Sequence, residues 1–410
     1  MTCQLSRVRS GQLSVATLGL GAFTVGTSEL VVVGLLDRLA RDVGVSVSTA
    51  GTLVTAYALG IALGGPALTV LTRRSGRRAM LLGGLGSYIV FNLLMALTSS
   101  FELLTLSRFA AGSVHGAFIG VASVAAADLA GPGRQGRALS FVFGGVALST
   151  VIGVPLGTLI GQEFGWQAAF VAVVILACVA LALTAALVPP ISRTKEGNPT
   201  GTARSALAPP VLATLGVGLL IIGGQFAALT YLEPFLNRVT GVSGGAISAY
   251  LLAFGIATAV GTFAGGRAAD RSSAGTLIAA NAAVVAVLGA LYGIGPEQAL
   301  VALALVAWGL VGFGLVSTAL QLRVINLAGS GGDLAASMGA SAANAGIALG
   351  AVIGGQVVGH QGVREVALAG SLICLLALPA TVLTRTLQPA TLPRSDAEEH
   401  EAVHKESAGR

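Results

Sequence analysis

What this sequence lacks is charge. Asp, Glu, Lys and Arg make up 10 % of its 410 residues, against about 25 % in an ordinary soluble domain. A soluble chain of this length would clothe two or three domains in polar side chains, and too few are present to do that. Lys and Arg outnumber Asp and Glu, giving a net charge of +6. The cations stand singly or in small clusters between apolar stretches, without one continuous basic face, which argues against a nucleic-acid partner. Cysteine is scarce as well. Cys3 sits near the start, and Cys178 and Cys374 lie inside apolar runs, so no disulfide framework or metal spacing is present. The four histidines, His115, His360, His400 and His404, form no triad or metal pattern. Nothing points to a metal, a cofactor or an enzyme. The pattern G-x-x-x-x-G-K-[ST] is missing too, which removes an ATP-driven pump.

What is present is apolar: 54 % of the residues are hydrophobic and 58 are Gly. Small residues let membrane helices approach closely, so the lipid bilayer is the expected solvent. A crossing helix needs about 20 mostly apolar residues. Such runs fall at 14–36, 49–71, 79–98, 102–125, 138–161 and 167–188, then at 211–236, 245–266, 275–294, 298–321, 336–358 and 363–384. The expectation is an all-α membrane protein of twelve helices. A six-helix half spans 1–190, a cytoplasmic linker 191–210, a second half 211–387, and a disordered polar tail 388–410. The first run follows Arg7 and Arg9 as a signal peptide would, but it is too long for one and contains Glu29, so it reads as an uncleaved helix.

Orientation follows from the basic residues, which gather on the cytoplasmic side of membrane proteins. With the N-terminus inside, 18 of the 23 Lys and Arg fall in cytoplasmic segments. Arg38, Arg41, Arg238 and Arg364 fall outside, and Arg108 lies within a span. A miscounted helix would scramble that sorting, so both termini are expected in the cytoplasm. The two halves also repeat. A shift of 197 residues lays Val43-Gly44-Val45-Ser46 over Thr240-Gly241-Val242-Ser243, and Gly153, Gly157 and Gly165 over Gly350, Gly354 and Gly362. Parallel repeats of this kind build alternating-access transporters with the site at the repeat interface.

Five stretches carry a family resemblance: GTSELVVVGLL from Gly26, TRRSGRR from Thr72, SRFAAGSVHGAFIGVASV from Ser107, GVPLGTLIGQEFGW from Gly153 and TYLEPFLNRVTGVS from Thr230. The chain resembles the major facilitator superfamily, and within it the bacterial drug:proton antiporters of the chloramphenicol and arabinose efflux type. The resemblance implies a monomer in the cytoplasmic membrane that cycles between open states. It also implies proton transfer at the helix 4 arginine, Arg108, and switching at the loops after helices 2 and 8. The first of these loops keeps Gly76, Arg77 and Arg78 but has Arg73 where the family pattern has Asp. The second keeps Gly266, Asp270 and Arg271 and loses the trailing Gly-Arg-Arg. In helix 5, Gly145, Ser149, Gly153, Gly157 and Gly161 recur every four residues beside Pro155, which resembles the antiporter motif of exporters. The bend that a proline makes is one reading of this stripe. Ordinary small-residue packing is the other.

Ionisable groups inside the membrane are costly and mark function. Glu29 lies about 12 Å from the outer end of the first helix and Arg108 about 9 Å into the fourth, at about 1.5 Å per residue. If those helices adjoin, the two side chains pair, either as a proton-coupling site or as a static salt bridge. His115 follows Arg108 by seven residues on much the same face, as a proton relay or a packing residue. Asp128 ends helix 4 as an interfacial residue. Gln225, Tyr231 and Glu233 on helix 7, Gln321 on helix 10 and Asn344 on helix 11 are the candidate lining of a small-molecule cavity, with interhelical hydrogen bonds as their alternative. Proton-driven export of a drug-like molecule is the leading function. Export of sugars or other polar metabolites, proton-coupled import, and a non-transporting membrane sensor are the rivals.

Overall fold

The computed structural model describes residues 2–72, 75–130, 134–191 and 205–388, with only the backbone for residues 2–11. Arg73 and Arg74, the linker residues 192–204 and the tail from 389 onward lie outside the described residues. Expectations that fall on them have no structural counterpart here.

Lipid offers no hydrogen bonds, so each crossing segment must satisfy its own backbone, and the apolar runs do so as helices. In order they are α1 Gln12–Gly34, α2 Val47–Leu71, α3 Arg77–Leu97, α4 Phe101–Ala130, α5 Gln135–Phe164, α6 Trp166–Leu187 and α7 Pro209–Arg238. The next helix, Gly245–Ile294, is continuous in hydrogen bonding for 50 residues but leaves helical geometry at Ser272 (φ −162°, ψ 98°). Fifty residues of helix would reach about 75 Å, more than twice a hydrocarbon core of about 30 Å. The break therefore divides two spans, α8 (245–271) and α9 (273–294). Then come α10 Gln298–Ala328, α11 Leu334–His360 and α12 Glu365–Thr386. The fold is all-α with twelve spans, and no strand occurs among the described residues.

Several spans run past the expected bounds, and three differ from the sequence expectation for a visible local reason. α4 runs on to Ala130 because Asp128 in its last turn is neutralised by an ion pair with Arg77. α10 continues past Gln321 because Arg323 donates to the carbonyls of Thr384 and Leu387. α7 is interrupted at Thr230 and Tyr231, and a separate turn of helix, Leu232–Arg238, completes it. Between α1 and α2 lies a short amphipathic helix, Leu36–Val43, closed by Gly44 in the left-handed conformation (φ 75°). Ser46 then caps α2 by accepting from the Thr49 N–H at 3.0 Å. π-Helical turns interrupt α2 at Gly60–Gly64, α5 at Ser149–Gly153 and α10 at Gly309–Leu315.

Packing carries the 197-residue repeat into space. α1 lies on α5 with Gly26 against Ser149, and α7 lies on α11 with Gly223 against Gly346. α2 lies on α4 with the Tyr57 carbonyl against Gly112, and α8 on α10 with the Phe254 carbonyl against Gly309. Helices α1–α6 thus form one packed set and α7–α12 another. The sets meet along two seams, α2 with α11 and α5 with α8.

Candidate functional site

The polar centre of the first set is built around Arg108, which is fully buried on α4. Its guanidinium donates to the carbonyls of Ser28 (2.7 Å), Glu29 (2.9 Å) and Leu53 (3.2 Å) and stacks 4.0 Å from the Tyr57 ring centroid. The reason lies in α1. Its α-helical part ends at Val31 and tightens into a 3-10 turn at Val32–Gly34. The carbonyls of its last turn therefore lack regular partners. A cation at that negative end of the helix is also electrostatically favoured.

This arrangement corrects the expected Glu29–Arg108 side-chain pair. The two helices do adjoin, yet Arg108 spends its donors on backbone oxygens, and no ion pair joins it to the Glu29 carboxylate. The side chain facing that carboxylate is instead His115, whose Nδ1 stands 3.7 Å from Oε2. The Glu29 side chain remains 20 % exposed, whereas His115 is 7 % exposed. From His115 a hydrogen-bonded chain leads inward: Nδ1 to the Tyr57 hydroxyl at 3.0 Å, and Tyr57 to the Tyr88 hydroxyl at 2.8 Å. Both tyrosines also reach the Val25 carbonyl, at 3.2 and 3.1 Å. Ser28 donates to Asn92 Oδ1 at 2.7 Å. Tyr57, Tyr88 and Asn92 were missed by sequence reasoning. Their signal was present, since each is a polar group on an otherwise apolar span.

The expected cavity residues of the second set do not converge. Gln225 is buried and accepts from Trp308 Nε1 at 3.1 Å, inside an aromatic cluster. Tyr231 is buried and donates to the Ala351 carbonyl at 2.9 Å. Glu233 accepts from the Asp37 backbone N–H at 2.6 Å, at the junction of the two sets. Asn344 is half-buried. Its Nδ2 donates to Ala340, one turn back, while its Oδ1 is buried without a hydrogen bond among the described residues. A cavity of about 120 Å³ lies between α7, α10 and α11, walled by Leu215, Gly218, Ser317, Gly339 and, of the expected residues, Gln321 rather than Asn344.

The expected switching residues also divide. Gly76 caps α3, after which Arg77 pairs with Asp128 and Arg78 donates to the Ala185 carbonyl at 2.6 Å. Both arginines thus bind within the first set. Asp270 and Arg271 are exposed and form no ion pair among the described residues. The glycine stripe of α5 packs on α1: a methyl on Gly153 would meet Thr27, and one on Gly157 would meet Val31. Pro155 removes one helical donor directly after the π turn Ser149–Gly153. The neighbouring face of α5, at Thr150 and Val151, is the one that touches Gly255 of α8 across the seam.

Among the described residues, every hydrogen bond between the sets lies toward one end of the bundle. Ser48 donates to the Gly355 carbonyl at 2.6 Å and Thr55 to the Ala348 carbonyl at 3.4 Å. Asp37 meets Glu233 and Arg238 beyond them. At the opposite end, Phe141, Phe143 and Phe263 are exposed, and no such bond joins the sets.

Comparison with known proteins bears on the same chain. The profile of the Major Facilitator Superfamily matches residues 18–340. The MFS-type transporter YtbD of Bacillus subtilis is 35 % identical over 383 residues, covering 92 % of this chain and 96 % of that one. The inner membrane transport protein YdhP of Escherichia coli K12 is 32 % identical, with 92 % and 96 % covered. A chloramphenicol resistance protein of Streptomyces lividans is 31 % identical, with 93 % and 100 % covered. Among solved structures, a bacterial homolog of the human lysosomal transporter Spinster, inward-facing and unoccupied, superposes with a TM-score of 0.77. It is 18 % identical, with 93 % of this chain and 99 % of that one covered.

Proposed function

This chain belongs to the major facilitator superfamily and is a multi-pass membrane transporter, and on that premise we propose that it exports small drug-like molecules in exchange for protons. The observation that carries the proton half of this reading is the Glu29 carboxylate. It is partly exposed inside the bundle, 3.7 Å from His115 and not ion-paired with the arginine beside it. A carboxylate at the edge of such a space can take up and release a proton as access changes. His115, Tyr57 and Tyr88 continue from it as a hydrogen-bonded route. Arg108 acts as a fixed brace that sets the backbone at Glu29. Each proton that crosses the membrane potential delivers about 2.3 kcal/mol per 100 mV.

Export is supported by the helix 5 pattern and by the likeness to the chloramphenicol resistance protein of Streptomyces lividans. A drug-like substrate suits walls with few fixed charges. The bias of basic residues toward the open end supports a cytoplasmic location for that end, with both termini. The structure then corresponds to an inward-open state in the bacterial cell membrane, working as a monomer. Pro155, beside the α5–α8 seam, is the point at which α5 flexes as the sets rock.

The test is Glu29→Gln in proteoliposomes. The variant is expected to fold and to bind substrate, yet to move no protons when substrate is added. If substrate drives proton movement as strongly as in the parent protein, Glu29 is a packing residue and the proton site lies elsewhere.

A further inference from the structure

A second cluster of charges, which proton exchange at Glu29 does not use, sits at the closed end. Asp37, in the short helix after α1, is 1 % exposed and is gripped by two arginines, Arg41 from its own helix and Arg238 from the other set. The Asp37 backbone N–H donates to Glu233 of the other set at 2.6 Å. Around them Arg38 donates to the Gln162 carbonyl, and Gln162 to the Gly34 carbonyl at 3.2 Å. Arg41 and Arg238 are repeat counterparts, 197 residues apart. The counterpart of Asp37 is Pro234, which carries no charge. One carboxylate therefore takes both symmetry-related arginines, and the ion pair across the sets has no mirror image. Removing one residue removes the whole of it.

We propose that the Asp37–Arg238 pair, seconded by Glu233 on the Asp37 backbone, is the clamp that holds this end shut and must part for substrate release on that side. The inference rests on the alternation of the two sets proposed above. Burial makes the clamp conditional. While the end is closed, Asp37 is out of water and depends on its arginines. Once the sets begin to separate, water replaces Arg238 and the open state becomes tolerable. The remaining cross-set bonds, Ser48 to Gly355 and Thr55 to Ala348, are neutral and weaker, so the charged pair dominates the closure. Arg41 makes no bond to the other set, and its role is to share the Asp37 charge.

The test uses the full chain in lipid nanodiscs, with its native cysteines replaced by serine and spin labels at Asp42→Cys and Ser243→Cys, both exposed and on opposite sets. The parent protein should give one short distance. Asp37→Asn and Arg238→Gln should each raise the long-distance fraction about fivefold, and the double variant no further, because both remove the same contact. Arg41→Gln should change it less than about twofold. An unchanged distribution in Arg238→Gln, or an equal shift in Arg41→Gln, overturns the clamp. If Asp37→Asn does not fold, the half-exposed Arg238 still decides the question. The readout needs neither substrate nor gradient, so a failed clamp leaves the Glu29 reading standing. Conversely, if exchange at Glu29 fails, the distance shift survives in the Glu29→Gln background.

Discussion

The centres of the two sets occupy equivalent places in the repeat and are built from opposite materials. In the first set, Glu29, Tyr57, Arg108 and His115 make a buried polar network. Their counterparts 197 residues on are Phe226, Phe254, Leu305 and Gly312. There Phe254 packs edge-on to Trp308 and Phe313, with centroids 5.6 and 5.3 Å away, and Phe226 packs on Phe313 at 5.7 Å. The one polar group in that cluster, Gln225, is satisfied by Trp308. Aromatic pairs of this kind contribute about 0.5–1.5 kcal/mol each beyond their burial and need no charge. Duplication therefore supplied two similar frames, of which one holds ionisable chemistry and the other an apolar wall. If the sets rock against each other, the wall moves past the chemistry and need not be rebuilt.

Arg108→Leu breaks this contrast most severely, since it gives the first set the residue of the second. Three buried carbonyls lose their donor, at about 1–3 kcal/mol each. We expect a large drop in thermal unfolding midpoint in detergent and no transport. An unchanged midpoint would mean that those carbonyls find other partners. Next come the glycine seams. A methyl on Gly350 would meet the backbone of Gly223, whereas one on Gly153 would meet the Thr27 side chain. Gly350→Ala should cost about 1–3 kcal/mol and Gly153→Ala clearly less, because a side chain can rotate where a backbone cannot. Equal melting shifts would sink that distinction. Tyr57→Phe is the mildest, matching Phe254. The ring still stacks on Arg108, and Tyr88 still serves the Val25 carbonyl, so the loss in stability should stay near 1 kcal/mol. Proton-coupled transport should slow all the same, because His115 loses its hydroxyl partner. Unaltered proton flux in this variant would remove Tyr57 from the route.

Much of the architecture was legible in the sequence because the bilayer imposes length, and length is one-dimensional. The twelve runs, their approximate bounds and the 197-residue offset all survive in space, down to Gly26 on Ser149 and Gly223 on Gly346. Contacts were less legible. Depth along α1 and α4 correctly brought Glu29 and Arg108 to one level, but it could not say that the 3-10 turn after Val31 frees carbonyls for the guanidinium. Spacing in α5 identified a small-residue face without saying that α1, and not the other set, would occupy it. Gln225 read as cavity lining because Trp308, 83 residues away, is invisible as its partner on paper. Asp37 lies just past the first apolar run, and its burial against Arg238 of the other set has no local signal in the sequence.

The π turns carry a consequence for symmetry. α2, α5 and α10 each contain one, while their repeat partners α8, α11 and α4 run as unbroken α-helix. A π turn takes in one residue beyond the α-helical count, and one residue is about 100° of rotation at 3.6 residues per turn. Yet beyond the turn in α5 the match holds: Gly157 still faces α1 at Val31, as its counterpart Gly354 faces α7 at Ala227. An internal gene duplication thus leaves three pairs of helices in which one copy carries a π turn that its twin lacks, while α5 and α11 stay in register beyond it.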